Sequence, residues 1–486
     1  MTHLCQLTEI STVDFPELFQ FYQYFPEKYP FLLATTSQDN NRNPGSAFDV
    51  LFIEPKEWLR LDHALNLSSS PDYDINPEQG FLDNFDQIFN LEKITSDLDF
   101  LKDINLPFTG GWFVFFSYEL AQQIEPCLNL PLFAKTEQAL PIAYAARVRN
   151  ALVFDQQNKK LFFVSESAVE HPQLLKDLMQ DALFINQQNT NNDACIINDL
   201  SEEIENTFIQ GVQKVKDYIK EGDVFQVNLS RYWQTSIIQK NNKKKNFSNH
   251  TSHLYQLLSC ANPAPFSGFA QFSNEQGNVS IISSSPERLL KVKNNQLESR
   301  PIAGTRPRSD SVEEDLRLIE ELHQHPKEKA EHIMLIDLIR NDLGKVCVPG
   351  TVVVDELMVN ETYAHVHHIV SNVIGQLQED ATPGDIIKAL FPGGTITGCP
   401  KVRCMEIIAE LEKQPRGAYT GSMGYINLDG SMDLNILIRS MVLQEQSAEQ
   451  YKLSFRAGAG LVYDSVAEKE LQETRDKAMG LIRAVQ

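Results

Sequence analysis

The sequence predicts an α+β chain, on three observations. Strand-length apolar runs recur, FDVLFIE at 48–54 and GWFVFFSY at 111–118. ALVFD and KLFFVSE, within 151–166, read as the two arms of a hairpin and so require antiparallel pairing. Between such runs lie helical patterns. The clearest spans about Glu202 to Glu221, where Phe208, Val212, Val215 and Ile219 recur three and four apart.

Taken in order, residues 1–185 read as mixed strands and helices. The Asn-rich stretch 186–200 reads as a loop connecting two regions, 1–185 and 201–486. After the helix, Gly222-Asp223 turns the chain into the strand VFQVNLSRYW. The basic, polar segment 239–252 reads as a solvated insertion. Beyond it, helices alternate with short β segments. HPKEKAEHIMLIDLIRND is a helix with Ala330, Met334, Leu335 and Leu338 on its apolar side. CMEIIAELE and AEKELQETRDKAMGLIRAV are two more.

The bulk numbers exclude several functions. With 486 residues and 55.2 kDa the chain is long enough for a large core. A net charge of −22 repels phosphate backbones, so no nucleic-acid partner is expected. No apolar run approaches the ~20 residues of a membrane span. The N-terminus lacks the basic start and apolar stretch of a secretory signal. The cysteines number seven, an odd count without a CxxC pair, which fits reduced thiols and a cytoplasmic location. Neither GxGxxG nor a Walker A motif occurs, so no nucleotide cofactor is expected.

Five constellations carry possible chemistry. Glu328 and Glu331, and again Glu470 and Glu473, are spaced three apart on helices, so each pair shares a helix face. Two such faces opposed would cage a hard cation such as Mg²⁺; the plain alternative is surface pairing, for example Glu473 with Lys477. SRPIAGTRPR combines arginines with Gly304 and Thr305, and suits close backbone approach to an anion or a simple strand end. FPGGTITGCPKVR precedes a helix, and its N–H groups, with Thr395 and Lys401, suit a carboxylate or a capped turn. RAGAGLVYDS reads as a second Gly-rich turn, for a ligand or for tight packing. His368, between apolar neighbours, reads alone as a satisfied core group, and no HExxH or Cys/His set makes it a zinc ligand.

Taken together and in this order, SRPIAGTRPR, EHIMLIDLIRNDLG, VHHIVS, FPGGTITGCPKVRCMEII, IRS and AGAGLVYDS resemble the chorismate-utilising enzymes. The resemblance is dense from about Gly222 to the C-terminus. GGWFVFFSYELAQQIEP and LPIAYAARVRNALVFD resemble the aminodeoxychorismate branch of that family. It implies one unit of two facing antiparallel sheets with helices outside, as in anthranilate synthase component I, with residues 1–185 adding strands and an effector pocket. Its site residues fall here on Glu328, Glu331, Glu470 and Glu473 for Mg²⁺, and on Glu287 as the acid that protonates the departing hydroxyl. Tyr419, Arg439 and the turn Gly458-Ala459-Gly460 match the positions that meet the enolpyruvyl carboxylate. Ala303, Gly304 and Thr305 match the ring site, and His368 and Thr395 match ring contacts. Water-using relatives carry a lysine base where this chain has Gln226, so the resemblance implies an ammonia user supplied by a separate glutaminase subunit.

Two products remain open. The resemblance favours 4-amino-4-deoxychorismate, on the folate and 4-aminobenzoate route. Ala303, which stands where many such enzymes carry a nucleophilic lysine, favours anthranilate plus pyruvate, on the tryptophan route. A non-catalytic subunit binding chorismate or an amino acid is the alternative of another class.

Overall fold

The computed structural model describes residues 5–37, 48–94, 106–133, 140–188, 196–197, 199–238, 246–274, 277–309, 311–324, 326–362, 366–447 and 449–486. Their strands form two antiparallel sheets. The first has 13 strands among the described residues. It runs from Gln6–Ile10 through Lys160–Ser165, Asn150–Asp155, Phe48–Ile53, Phe31–Ala34, Phe266–Asn274, Gly277–Ser285, Ser440–Ser447 and Gln450–Leu461 to Gln226–Ile238. The second runs from Ile302–Pro307 through Val366–Gln376, Gln296–Ser299, Arg288–Lys293, Met432–Asn435, Ser422–Asn427, Gly111–Phe116 and Ala143–Val148 to Trp58–Leu61 and Leu67–Ser69.

Strands distant in sequence are neighbours in both sheets. Phe31–Ala34 pairs with Phe266–Asn274, and Gly111–Phe116 with Ser422–Asn427. The early strands are therefore built into the same sheets as the late ones.

Alternating side chains of the two sheets meet in a core that includes Phe31, Phe52, Phe113, Phe272, Ile281 and Met423. Phe31 and Phe113 stack across it with ring centroids 4.0 Å apart. Helices cover the outer faces. Leu18–Tyr24, His171–Asn186, Phe247–Ala261 and Ala467–Arg483 pack on the first sheet, and Phe81–Glu92, Pro326–Gly344 and Pro383–Leu390 on the second. Glu205–Glu221 and Lys401–Glu412 share a smaller core beside the start of strand Gln226–Ile238. Among the described residues no helix is long and apolar enough to cross a membrane.

Several sequence expectations shift. The helix expected from Glu202 starts at Glu205, because Ser201 and Glu202 pair with Gln234 and Trp233. Within 186–200, Ile196 and Ile197 form an edge strand rather than loop, and 189–195 lie outside the described residues. The basic segment is no plain insertion: 239–245 lie outside the described residues, but Phe247 begins a helix that buries His250, Thr251 and Ser252. On helix Pro326–Gly344 the buried stripe is His332, Ile336, Ile339 and Leu343, while Ala330 is exposed. Packing against strand Val366–Gln376 sets that rotation, and His332 Nε2 lies 2.6 Å from Ser371 Oγ.

Candidate active site

AGAGL is strand, not turn. It ends Gln450–Leu461 and pairs with Gln226–Ile238 so that Asn228 faces Gly460 and Ser230 faces Gly458. The glycines are small because polar side chains lie over them. A Cβ on Gly458 would sit 2.7 Å from both Asn228 Oδ1 and Tyr419 Oη, and one on Gly460 would sit 2.7 Å from Gln226 Nε2. Alternation along the strand turns Ala459 the other way, into the core under the two small helices.

The loop 391–400 is drawn to the same place. Gly398 and Cys399 pair with Val227 and Gln226, and Asn228 Nδ2 faces the Thr395 carbonyl at 3.5 Å. Thr395 lies in a short 3₁₀ turn, Gly394–Ile396.

Glu287 stands at the join between strands Gly277–Ser285 and Arg288–Lys293, where the chain passes from one sheet to the other. Its backbone N–H donates to Ser285 Oγ at 3.2 Å. Burial pushes its carboxyl up to about 7, against the opposing pull of the Thr395 hydroxyl, the Ile302 N–H and the more distant Lys477. The Thr395 hydroxyl lies close enough to Glu287 to oppose this rise as a hydrogen-bonding group, while Thr395 Oγ1 and Glu287 Oε1 have no hydrogen bond of ordinary geometry among the described residues. Both residues line a small cavity with Ser299, Asp342 and Gly394. Lys401 lies nearby but is already engaged: its Nζ donates to Asp342 Oδ2 at 2.6 Å.

Tyr419, Arg439, His368 and Glu473 form a second group. Arg439, half-buried and with a left-handed φ of 53°, feels both Tyr419 and Glu473, which oppose the loss of charge that burial favours. His368 is pushed down to about 4 by burial, with Arg439 and His367 acting in the same direction, so it is neutral at pH 7. Burial pushes the Tyr419 hydroxyl up to about 12, with Arg416 the first of the charges opposing it. His368 pairs in the sheet with Thr305. SRPIAGTRPR is thus an edge strand whose register shifts between Ile302 and Thr305, which puts Ala303 and Gly304 at the irregularity. Gly304 is half-buried, and the side chains of Ala303 and Thr305 lie outside the description.

The four acids are less uniform than their spacing suggested. Glu470 is buried, Glu331 half-buried and Glu473 exposed, and Glu473 Oε1 pairs with Lys477 Nζ at 2.7 Å, the plain alternative considered for that spacing. The Glu328 side chain lies outside the description. Among the described residues no three acidic, histidine or cysteine side chains gather as a metal-holding group. The donor chemistry nonetheless suits Mg²⁺, which takes hard oxygen ligands and needs only one or two carboxylates beside water and substrate oxygens.

A buried charge web, not anticipated from the sequence, supports the site. The Arg416 guanidinium donates to Glu412 Oε1 at 2.7 Å, to the Asn228 carbonyl at 2.7 Å and to the Ile396 carbonyl at 3.1 Å. It lies over the rings of Tyr118 and Tyr419, 4.8 and 5.5 Å from their centroids. Burial would push the Glu412 carboxyl up, but Arg416 and Arg456 overcome this and hold it low. Glu119 Oε1 accepts from the backbone N–H groups of Arg416 and Gly417. The sequence signal was indirect: Arg416 lies three residues before Tyr419, Glu119 lies within GGWFVFFSYELAQQIEP, and Arg456 opens RAGAGLVYDS.

Comparison with known proteins agrees with this geometry. Residues 39–483 match the family model described as chorismate binding enzyme. The chain is 39% identical over 426 residues to anthranilate synthase component 1 of a Synechocystis species, covering 81% of this chain and 80% of that protein. It is 40% identical over 392 residues to aminodeoxychorismate synthase component 1 of Bacillus subtilis, covering 78% and 77%. The crystal structure of anthranilate synthase component I from Streptococcus pneumoniae superposes with a TM-score of 0.73 at 30% identity, covering 92% of this chain and 93% of that one. The menaquinone-specific isochorismate synthase of Escherichia coli shares the fold, with a TM-score of 0.68 at 17% identity over all of this chain and 95% of that one. With the fold, the enclosed acid and the glycine strand in place, this chain belongs to the chorismate-binding enzyme family.

Proposed function

We propose that the chain aminates chorismate with ammonia to 4-amino-4-deoxychorismate. One observation carries the amination: Thr395, which lines the cavity of the enclosed acid Glu287, faces Asn228 on the strand that also carries Gln226, and Gln226 is no base. A carboxyl raised to about 7 retains its proton near neutrality and can protonate the departing hydroxyl. A carboxamide cannot deprotonate water, whereas ammonia attacks through its lone pair without a base. Neutral His368 contacts the ring without adding charge, and Tyr419 and Arg439 take a substrate carboxylate.

The choice of product rests on the early segments that resemble the aminodeoxychorismate branch. They are structural parts of the site: Glu119 of YELA holds the turn before Tyr419, and the GGW strand pairs with Ser422–Asn427 just after it. Ala303 offers no nucleophile, so in this reading ammonia acts directly. A second reading, anthranilate formation, is favoured by that same Ala303 and by the names of most of the similar proteins, including the Synechocystis and Lactococcus lactis relatives.

Mg²⁺ is the proposed metal, held by Glu331 and Glu473 with Glu328 and Glu470 beside them; Glu473 would exchange Lys477 for it. Bound, it would fix the ring carboxylate and offset charge as the C–O bond breaks. Glu331→Ala is expected to abolish both turnover and calorimetric Mg²⁺ binding. A separate glutaminase chain is the proposed ammonia source.

The deciding assay supplies the purified chain with chorismate, Mg²⁺ and ammonium. Product that becomes 4-aminobenzoate only after a lyase is added supports the proposal. Blue fluorescence from anthranilate without a lyase rejects it.

A further inference from the structure

We infer that His332, tied to Ser371, is a positioning residue for the cation: it fixes the rotation of the helix turn that carries Glu331. This rests on the metal proposed above. Helix Pro326–Gly344 meets the second sheet through His332, Ile336, Ile339 and Leu343. The last three are apolar, and apolar contact is non-directional. His332 is the polar member of the stripe and lies beside Glu331. Both His332 and Ser371 are buried, and His332 Nε2 lies 2.6 Å from Ser371 Oγ.

The direction of this hydrogen bond follows from the other partners of Ser371. Its Oγ accepts the Met358 N–H at 2.9 Å. Met358 has a left-handed φ of 52° and lies where strand Val353–Thr362 loses register with Val366–Gln376, between Glu356 and Val359. Such a bulge takes an N–H out of the ladder, and the serine oxygen receives it. Ser371 keeps one proton of its own. Among the described residues, His332 Nε2 is the group in place to accept it, so the hydroxyl donates and Nε2 is the acceptor nitrogen. The Ser371 backbone N–H donates to the Pro301 carbonyl at 3.3 Å, just before the ring-site strand Ile302–Pro307. One serine thus fastens the acid helix, the bulged strand and the entry to the ring site.

Helix geometry makes this tie matter for a metal. Each residue advances an α-helix by about 100°. Glu331 immediately precedes His332 and Glu328 stands four residues before it, so helical spacing puts both acids on one flank of the tied residue. A roll of about 30° would carry a carboxylate about 3 Å around the axis. Mg²⁺ demands near-ideal octahedral geometry, with oxygens at about 2.0–2.1 Å, and does not follow such a shift. Side chains alternate along a strand, so His368 and Ser371, three apart on Val366–Gln376, face opposite ways. The same strand therefore sets the ring contact on one face and the rotation of the acid helix on the other.

The test is calorimetric titration of the full chain with MgCl₂, alongside thermal melts. His332→Leu fills the space without an acceptor, whereas His332→Gln brings an acceptor oxygen near the place of Nε2. His332→Leu is expected to raise Kd for Mg²⁺ about tenfold or more, while chorismate KM at saturating Mg²⁺ stays within threefold. His332→Gln is expected to return Kd to within threefold of wild type. A lower Tm with Mg²⁺ affinity unchanged would show that the contact only holds the fold. Equal loss in the two variants would show that the hydrogen bond is not the cause. Either result overturns the inference. Should His332→Leu fail to fold, Ser371→Ala, which removes the donor, decides by the same tenfold criterion. A wild-type chain that binds no Mg²⁺ would instead sink the metal reading itself, whatever the variants do.

Discussion

Glu119 Oε1 accepts the backbone N–H of Arg416 at 2.8 Å, joining residues 297 apart in the chain. It also accepts from Gly417 at 3.1 Å, and so ties down the turn that delivers Tyr419. Glu119 is fully enclosed, and burial raises its carboxyl above the ordinary range. Whether charged or protonated, it keeps an acceptor oxygen for these donors.

Glu119→Ala is therefore expected to leave two buried N–H groups unmet and to cost about 2–3 kcal/mol in urea unfolding. Chorismate KM should rise with it, because Tyr419 loses its support. Glu119→Gln retains an acceptor and should recover most of both. Equal damage from the two variants would show that the hydrogen bonds are not the cause.

Glu287→Gln is expected to lower kcat by about 10²–10⁴ with little change in chorismate binding. In the wild type the active form is protonated, so kcat/KM should fall as pH rises above about 7 at saturating free ammonia. The same shift affects stability. The folded state holds this proton more tightly than the unfolded chain, so the contribution of Glu287 to stability is fully present below about 4.5 and is lost, by about 3 kcal/mol, as pH rises to about 7. Glu287→Gln should remove that part of the pH dependence, which urea midpoints at several pH values would reveal.

The two glycines should respond differently to alanine. At Gly458 the new Cβ meets the Leu229 backbone carbonyl at 2.9 Å as well as Asn228 and Tyr419, and a backbone atom cannot step aside. Overpacking of this kind costs about 1–3 kcal/mol, so Gly458→Ala should lower Tm and chorismate affinity together. At Gly460 the close neighbour is the flexible end of Gln226, so Gly460→Ala should keep most of its Tm and lower turnover rather than stability.

Phe113→Ala opens the inter-sheet core opposite Phe31 and is expected to cost about 3–5 kcal/mol, with Phe113→Leu costing less. Chemical denaturation reads this directly. A change below 1 kcal/mol would mean that the core closes over the gap.

Much of the site was legible because the chemistry lies in short local patterns. The helix and strand periods and the hairpin at 151–166 follow from residues a few places apart, whereas Glu287 was singled out only by resemblance to the family. Local pattern misled where partners are remote. AGAGL looks like a turn by its glycines, yet it is strand, since side chains from Gln226, Asn228 and Tyr419 fill the space above it. The stripe at 330–338 follows helical spacing, yet the helix is rotated by its contact with Ser371.

The sequence by itself determined the α+β class, the ordered family motifs and the residue types available for acid, amide and carboxylate roles, because those are properties of single residues and their near neighbours. Tertiary structure alone decided that Asn228 faces Thr395 and that Glu119 and Arg416 hold the Tyr419 turn. It also decided that burial, not any adjacent residue, raises Glu287. Burial and long-range hydrogen bonds depend on which distant strands pair, and that information exists only once the two sheets have closed on each other.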